Sequence, residues 1–178
     1  MTDASAIWLG QLLENLGSCG PAGEAALQYL KEHNVKVGLR DQATGARWTL
    51  GGSIQLHPRF AESEPDAPYP LSLVIHEIRH LQQGWMNALS MHGELEAWHA
   101  QFAFLKSITG QYHVQPQYDE IIRHLMSLPV NWDRIALKEA RKLMQAYSGR
   151  AYRIDLLPLY PLPKEFLYWA ARRQPKGI

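Results

Sequence analysis

Two histidines and a glutamate in the stretch LVIHEIRHLQQ, residues 73–83, have the residue types and the spacing of a metal-binding motif. On an α-helix, His76 and His80 lie one above the other, with Cβ atoms about 5–6 Å apart. Two imidazoles at that spacing reach one zinc ion at roughly 2.0–2.1 Å. Glu77 points about 100° away from His76, so its carboxylate lies beside the ion and can hold a water molecule without binding the metal. The motif therefore predicts metal-assisted hydrolysis.

The helix that carries the motif is predicted over residues 71–90 and is amphipathic. Its core face consists of Leu71, Val74, Ile75, Ile78, Leu81 and Trp85. His76 and His80 lie on the other side together with Leu73, and a partly apolar face of this kind is typical of the wall of a cleft. The alternative is an ordinary solvated helix face, on which polar residues need no function.

A catalytic zinc ion needs a third protein ligand and an open fourth position. The segment MHGELEAWHAQ, residues 91–101, offers four candidates for the third ligand: His92, Glu94, Glu96 and His99. Glu94 and Glu96 cannot both bind the ion, because residues two apart on a helix point about 200° apart. The spacing alone leaves the choice open.

The motif followed by ELEAW, residues 94–98, resembles the gluzincins, which are zinc metallopeptidases with His-Glu-x-x-His on one helix and a glutamate ligand on the next. Glu94 and Ala97 match the family's glutamate and small residue. Trp98 stands where the family has an aspartate that orients a zinc-bound histidine. The resemblance covers roughly residues 35–108 and is nearest to the small single-domain gluzincins of bacteria.

The resemblance implies zinc-dependent hydrolysis of peptide bonds in a peptide or protein substrate that lies extended along an edge strand. His76, His80 and Glu94 would hold Zn²⁺, with Glu96 as the alternative third ligand. Glu77 would be the general base toward the zinc-activated water.

Enzymes of this class commonly stabilise the oxyanion of the tetrahedral intermediate with a tyrosine, a histidine or an arginine. Tyr147, Arg150, Tyr152 and Arg153 cluster after a predicted helix and are candidates for that role. Packing and solvation are the plain alternative for all four.

Two other functions are alternatives to hydrolysis. A regulatory protein of the same fold that binds zinc or a partner, without cleaving anything, is favoured by Trp98 at the aspartate position. A nucleic-acid-binding module is suggested by residues 97–178, which carry 12 Lys and Arg against 6 Asp and Glu, whereas residues 1–96 carry 6 against 11. This basic excess is weak, so nucleic acid is not a favoured partner. No pattern in the sequence specifies an oligomeric state.

The elements around the motif predict an α+β, zincin-like fold, mostly helical, in one domain over residues 1–178 with its metal-binding core at about 35–108. Helices are predicted at 4–16, 22–33, 71–90, 94–108, 116–127, 132–147 and 164–173. Three strands at 35–39, 46–50 and 51–57 predict a small antiparallel sheet. The extended apolar segment LLPLYPLP, residues 156–163, is predicted either to cover the core or to line and occlude the metal cleft.

Composition places the chain among globular proteins, with 46% hydrophobic and 20% charged residues. Cys19 is the one cysteine, which excludes an intramolecular disulfide and fits a reducing compartment. The N-terminus lacks the features of a signal peptide, and no stretch approaches the roughly 18 apolar residues of a membrane-spanning helix. The sequence therefore predicts a cytoplasmic protein without a membrane partner.

Overall fold

The computed structural model describes residues 3–113, 115–149 and 152–173. These residues form the predicted α+β fold, which is mostly helical with one small sheet. The helices are α1 (Asp3–Ser18), α2 (Gly20–Glu32), α3 (Pro68–Gln83), α4 (Trp85–Ala88), α5 (Met91–Thr109), α6 (Pro116–Ser127), α7 (Arg134–Ser148) and α8 (Leu162–Arg173). The strands are β1 (Val37–Leu39), β2 (Ala46–Trp48) and β3 (Ile54–Leu56). Among the described helices, none combines the length and apolar character needed to cross a bilayer.

The sheet is mixed, so the prediction of a purely antiparallel sheet was wrong. The strand order is β1-β3-β2, with β1 parallel to β3 and β2 antiparallel to it. Residues 40–45 carry the chain from one side of β3 to the other instead of forming a hairpin. The Gln42 side chain anchors this crossing by donating to the Gln55 carbonyl at 2.9 Å. As a result β3 is central, and β2 lies at the edge beside α3.

Two hydrophobic clusters stabilise the fold. The N-terminal core consists of Trp8, Leu9, Leu12, Leu16, Ala26, Leu30, Ala46, Ile54, Leu56, Leu71, Leu73, Val74, Ile75, Ile78 and Phe104. The C-terminal core consists of Met91, Leu95, Trp98, Phe102, Leu105, Ile122, Leu125, Leu137, Ala140, Met144, Ile154, Leu159 and Tyr160. Helix α5 contributes to both clusters, with Phe104 on one side and Phe102 on the other, and is the wall that they share.

Helix α3 ends seven residues before its predicted end, because Gly84 has φ of +72°, a conformation that favours glycine. The chain turns there into the short α4, and Trp85, predicted on the core face, is 53% exposed. Gly93, which falls between the predicted helices 71–90 and 94–108, instead lies inside α5. A Cβ at Gly93 would stand 2.0 Å from the Asn87 carbonyl oxygen, so glycine permits the close packing of α4 on α5.

The segment 156–163 was predicted as extended throughout, but a 3-10 turn ends at Leu156 and α8 begins at Leu162, so only residues 157–161 are non-helical. This part packs on the C-terminal core and caps α5. Leu159 and Tyr160 are buried there. The carbonyls of Pro158 and Leu159 accept hydrogen bonds from the backbone N–H groups of Met91 and His92 at 2.8 and 3.2 Å. These N–H groups belong to the first turn of α5, which has no partners of its own for them. The segment thereby fixes the start of the helix that carries Glu94.

Candidate metal centre

The side chains of His76, His80 and Glu94 converge where α3 packs against α5. The two histidine Nε2 atoms are 3.0 Å apart. Glu94 Oε2 lies 3.7 Å from His76 Nε2, and Glu94 Oε1 lies 3.5 Å from His80 Nε2. The structure therefore groups the two motif histidines with Glu94, all their ligand atoms lying within 4.8 Å of one another.

Local sequence explains how α5 presents Glu94. The Ser90 side chain accepts a hydrogen bond from Gly93 N at 3.1 Å, so Ser90 is the N-cap and Glu94 lies in the first turn. A carboxylate in the first turn is favoured by the helix dipole. Helix α5 then packs along α3, and this contact brings Glu94 onto the histidine face.

All three side chains are buried, with exposed fractions of 3% for His76, 2% for His80 and 9% for Glu94. Burial lowers the pKa of His76 well below its usual value and that of His80 to about 4. Burial raises the pKa of Glu94 to about 7. Two neutral imidazoles and a carboxyl group offer lone pairs to one point, a donor set that fits a divalent cation such as Zn²⁺.

Glu77 lies beside this group and is not part of it. Its side chain is buried, and its pKa is raised well above the usual value, first by burial and then by the nearby charge of Glu94. The backbone N–H of Trp48 faces the Glu77 carboxylate and partly opposes that rise in pKa. Glu77 therefore lies between the ligand residues and the backbone of β2.

Among the described strands, none pairs with the edge of β2 that faces away from β3. The backbone groups of Gly45 and Thr49 point toward β3, since the Gly45 carbonyl accepts from His57 N–H and the Thr49 N–H donates to the Ser53 carbonyl. Backbone groups alternate along an antiparallel strand, so those of Ala46 and Trp48 point to the other side. The Ala46 carbonyl accepts from the Thr44 hydroxyl at 2.8 Å. The Ala46 N–H and the Trp48 carbonyl are thus directed at the free edge, next to the metal-ligand group.

Of the four candidate oxyanion residues, Tyr152 is the one that the structure brings to the ligands. Its hydroxyl donates to Glu94 Oε2 at 3.0 Å and lies 3.3 Å from His76 Nε2. Arg153 is exposed, 3.9 Å from Asp155. Arg150 lies outside the described residues.

Tyr147 lines the same cavity as His76 and Glu77, of about 380 Å³. Its hydroxyl interacts with Tyr69, and burial raises its pKa above the usual value. Tyr118 and Arg59 also line the cavity, so one cation and several aromatic rings face the open space beside the ligands. Of the segment 156–163, no residue is in the lining, although it was predicted there as one of two alternatives.

The other candidates for the third ligand point elsewhere. Glu96 accepts from Gln83 at 2.7 Å and lies 3.6 Å from the Arg79 guanidinium. His92 stacks on Trp132 with ring centroids 3.8 Å apart. His99 lies 3.2 Å from the Leu125 carbonyl oxygen, beside the C-terminal core.

Two residues near the ligands, Gln83 and Gln101, were not among the predicted site residues. Gln83 contacts the His80 ring at 3.3 Å, and Gln101 lines the cavity beside His76. Gln101 is seven residues after Glu94, which places both on one face of a helix, and that spacing was a signal for it. Comparison of the chain with protein-family models, with curated proteins and with solved structures gave no match.

Proposed function

We propose that this protein is a zinc-dependent metallopeptidase. One observation carries the proposal: two histidines and a glutamate converge in a buried site, and a second glutamate, Glu77, lies next to them outside the ligand set. Buried polar groups need partners, and three acceptor groups facing one another find one in a cation. The resemblance to gluzincins, including the zincin-like fold, stays a prediction that agrees with this arrangement.

Zinc is the proposed metal because nitrogen and carboxylate ligands in a three-residue set with an open position are typical of catalytic zinc. When bound, zinc would supply a Lewis acid that acidifies water and polarises a carbonyl. His76, His80 and Glu94 would hold it. Mg²⁺ and Ca²⁺ are disfavoured, since they prefer all-oxygen ligand sets.

The remaining steps belong to the protein's own residues. The Glu77 carboxylate accepts the proton of the attacking water and passes it to the leaving amine. The Trp48 N–H holds that carboxylate in place. The Tyr152 hydroxyl, which donates to Glu94 Oε2 in the metal-free protein, would turn its one proton from that carboxylate to the oxyanion of the tetrahedral intermediate.

The substrate class follows from the open edge of β2. An extended peptide pairs with a free strand edge through its backbone, so the Ala46 N–H and the Trp48 carbonyl would hold a peptide beside Glu77. The neighbouring cavity would take a side chain next to the scissile bond. These features support a peptide or an unfolded protein segment as substrate.

The test combines zinc content with a Glu77→Gln variant. Wild type purified without chelator should carry about one zinc per chain and cleave an unfolded protein. Glu77→Gln should keep the zinc and the thermal midpoint but lose at least about 10²-fold in rate, because an amide cannot accept the proton. Glu64→Gln, in an exposed loop, is the matched control.

The same experiment also decides between a peptidase and a non-catalytic regulator. If wild type and Glu77→Gln both hold zinc and neither cleaves any of a panel of unfolded proteins, the regulatory function replaces the peptidase. Equal cleavage by the two would assign the activity to a contaminant. Loss of zinc from the variant would show that Glu77 supports the metal rather than acting on water.

A further inference from the structure

A histidine binds zinc through a nitrogen that carries no proton, so its tautomer decides whether it can be a ligand. The hydrogen-bond partner of the other ring nitrogen sets that tautomer. Since the Nε2 atoms of His76 and His80 face Glu94, the groups that face their Nδ1 atoms become decisive. For His80 that group is the Gln83 amide, and Trp98 stands at the position of the aspartate expected from the gluzincin resemblance.

Gln83 has only one chemically sound orientation. Its Nε2 lies 2.9 Å from the Gly93 carbonyl oxygen and 2.7 Å from Glu96 Oε2. A backbone carbonyl only accepts hydrogen bonds, so the amide NH₂ must face it. The amide oxygen is then left for His80 Nδ1, at 3.3 Å. That oxygen can only accept, so the proton of the neutral ring is on Nδ1, and Nε2 is free for a metal.

Gln101 is held in the same way on the other side of the site. The Ser72 hydroxyl donates to the Tyr69 carbonyl at 2.7 Å, and Gln101 Nε2 in turn donates to Ser72 Oγ at 3.4 Å. This leaves the Gln101 oxygen as the free acceptor of a side chain that is 4% exposed. His76 Nδ1 is buried without a hydrogen-bond partner among the described residues. Gln101 lines the same cavity as His76, and its free oxygen would supply that partner after a small movement.

We propose that Gln83 and Gln101 are positioning residues for the metal centre, and that they act at different times. Gln83 fixes His80 as the Nδ1–H tautomer before metal binds. In the metal-free protein His76 keeps its proton on Nε2 and donates it to His80 Nε2, 3.0 Å away. Metal binding removes that proton and another binds Nδ1, where the Gln101 oxygen accepts it, so the ring stays neutral.

This assignment gives Glu96 and Ser72 a role as well, which is to hold the two glutamines that face the ligands. Each binds the NH₂ group of one glutamine and prevents the amide from turning around. The proposal rests on the metal centre of the proposed function but not on catalysis. It predicts that the side chains that accept from the Nδ1–H groups of the two histidines are neutral amides, which add no negative charge to a centre that already contains Glu94 and Glu77.

The experiment reads the tautomers directly and the metal affinity separately. In ¹⁵N-histidine-labelled, metal-free wild type, long-range ¹H–¹⁵N spectra should show His80 with its proton on Nδ1 and His76 with its proton on Nε2. After zinc is added, both should be Nδ1–H. Gln83→Ala and Gln101→Ala should each lower zinc affinity about 10- to 100-fold in chelator competition.

Gln82→Ala is the matched control, because Gln82 is the adjacent, exposed glutamine, and its side-chain oxygen accepts from the Arg79 guanidinium at 3.4 Å rather than from a ligand histidine. Gln101→Glu should restore affinity, since a carboxylate also accepts from Nδ1–H. If Gln83→Ala does not fold, the exchange of Gln83→Glu with Glu96→Gln keeps an acceptor at His80 and should bind zinc within about tenfold of wild type.

Two outcomes would overturn the assignment. His80 found as the Nε2–H tautomer in folded metal-free protein removes the role of Gln83. Zinc affinities of Gln83→Ala and Gln101→Ala equal to that of Gln82→Ala remove both roles. If wild type binds no zinc, both the metal centre and the role of Gln101 are wrong. The role of Gln83 is tested separately, by the tautomer of His80 in the metal-free protein. Loss of peptidase activity by itself bears only on the proposed function.

Discussion

The N-terminal and C-terminal cores are joined by one helix but are built in different ways. In the N-terminal core, α3 is amphipathic and buries one apolar face against α1, α2 and the sheet. Around α5 no such division exists, because this helix is covered by the N-terminal core on one side and by α6 and α7 on the other. A helix covered on two sides has apolar residues on more than one face, so its sequence gives no single core face.

The metal ligands follow the same division. His76 and His80 lie on α3, whose periodicity shows which side faces away from the core. Glu94 lies on α5, where periodicity gives no orientation. The candidate metal centre therefore lies at the junction of the two cores, and a bound ion would link them. Each of the following changes tests that junction, from the largest expected effect to the smallest.

Removal of one histidine ligand should have the largest effect. His80→Ala should lower zinc affinity by at least about 10³-fold, because an ion held by three side chains loses one bond and one of its few partners. Zinc should then no longer raise the thermal midpoint. His33→Ala, an exposed histidine that stacks on Tyr29, should leave both measurements unchanged. Retained zinc-dependent stabilisation in His80→Ala would place the ion elsewhere.

Cavities in the two cores should cost similar stability if α5 couples them. Leu12→Ala and Phe102→Ala each remove a fully buried side chain, from the N-terminal and the C-terminal core respectively. Each should lower the free energy of unfolding by about 2–5 kcal/mol. Denaturant unfolding followed by tryptophan fluorescence and by circular dichroism should remain one transition. Two separate transitions would mean that the cores unfold independently.

Replacement of Glu94 should separate metal binding from stability. Burial raises the pKa of Glu94 to about 7 from an ordinary value of 4.5, so folded protein binds this proton more tightly than unfolded protein does. Its contribution to stability is complete below pH 4.5 and is lost as pH rises through about 7.

Metal-free Glu94→Gln should therefore be more stable than wild type above pH 7, by on the order of 1–3 kcal/mol, although it binds zinc weakly. The measurement is chemical unfolding of metal-free protein at pH 5 and pH 8. Glu96→Gln is the comparison, and it should lose far less zinc affinity because Glu96 reaches the site only through Gln83. Equal losses of zinc affinity in the two variants would contradict the ligand assignment.

The smallest effect is expected at Trp85. This residue is 53% exposed after the break at Gly84, so Trp85→Ser should change the free energy of unfolding by less than about 0.5 kcal/mol. Ile78→Ala, on the buried face of α3, should cost about 2–5 kcal/mol. A large loss of unfolding free energy in Trp85→Ser would instead support the longer helix 71–90 that the sequence predicted, with Trp85 on its core face.

The sequence by itself determined the features that depend on neighbours along one helix. The i, i+4 spacing of His76 and His80 placed both rings on one side, and the apolar residues of α3 showed which side was buried. The glycines between β2 and β3 and the Ser90 cap before Glu94 are local too, but they were predicted inside the strand 51–57 and the helix 71–90, so these element boundaries were wrong. Such features are fixed by backbone geometry, which three to five residues specify.

Only the tertiary structure decided how α3 and α5 combine to form the candidate metal centre. The choice of Glu94 over Glu96 depends on the rotation of α5 between two cores, which packing from both sides sets. The parallel pairing of β1 with β3 depends on where residues 40–45 cross. Tyr152 reaches Glu94 across 58 positions of sequence, and Gln101 reaches Ser72 across 29. Contacts of this range leave no periodic pattern, because they arise only when separate elements pack on a common core.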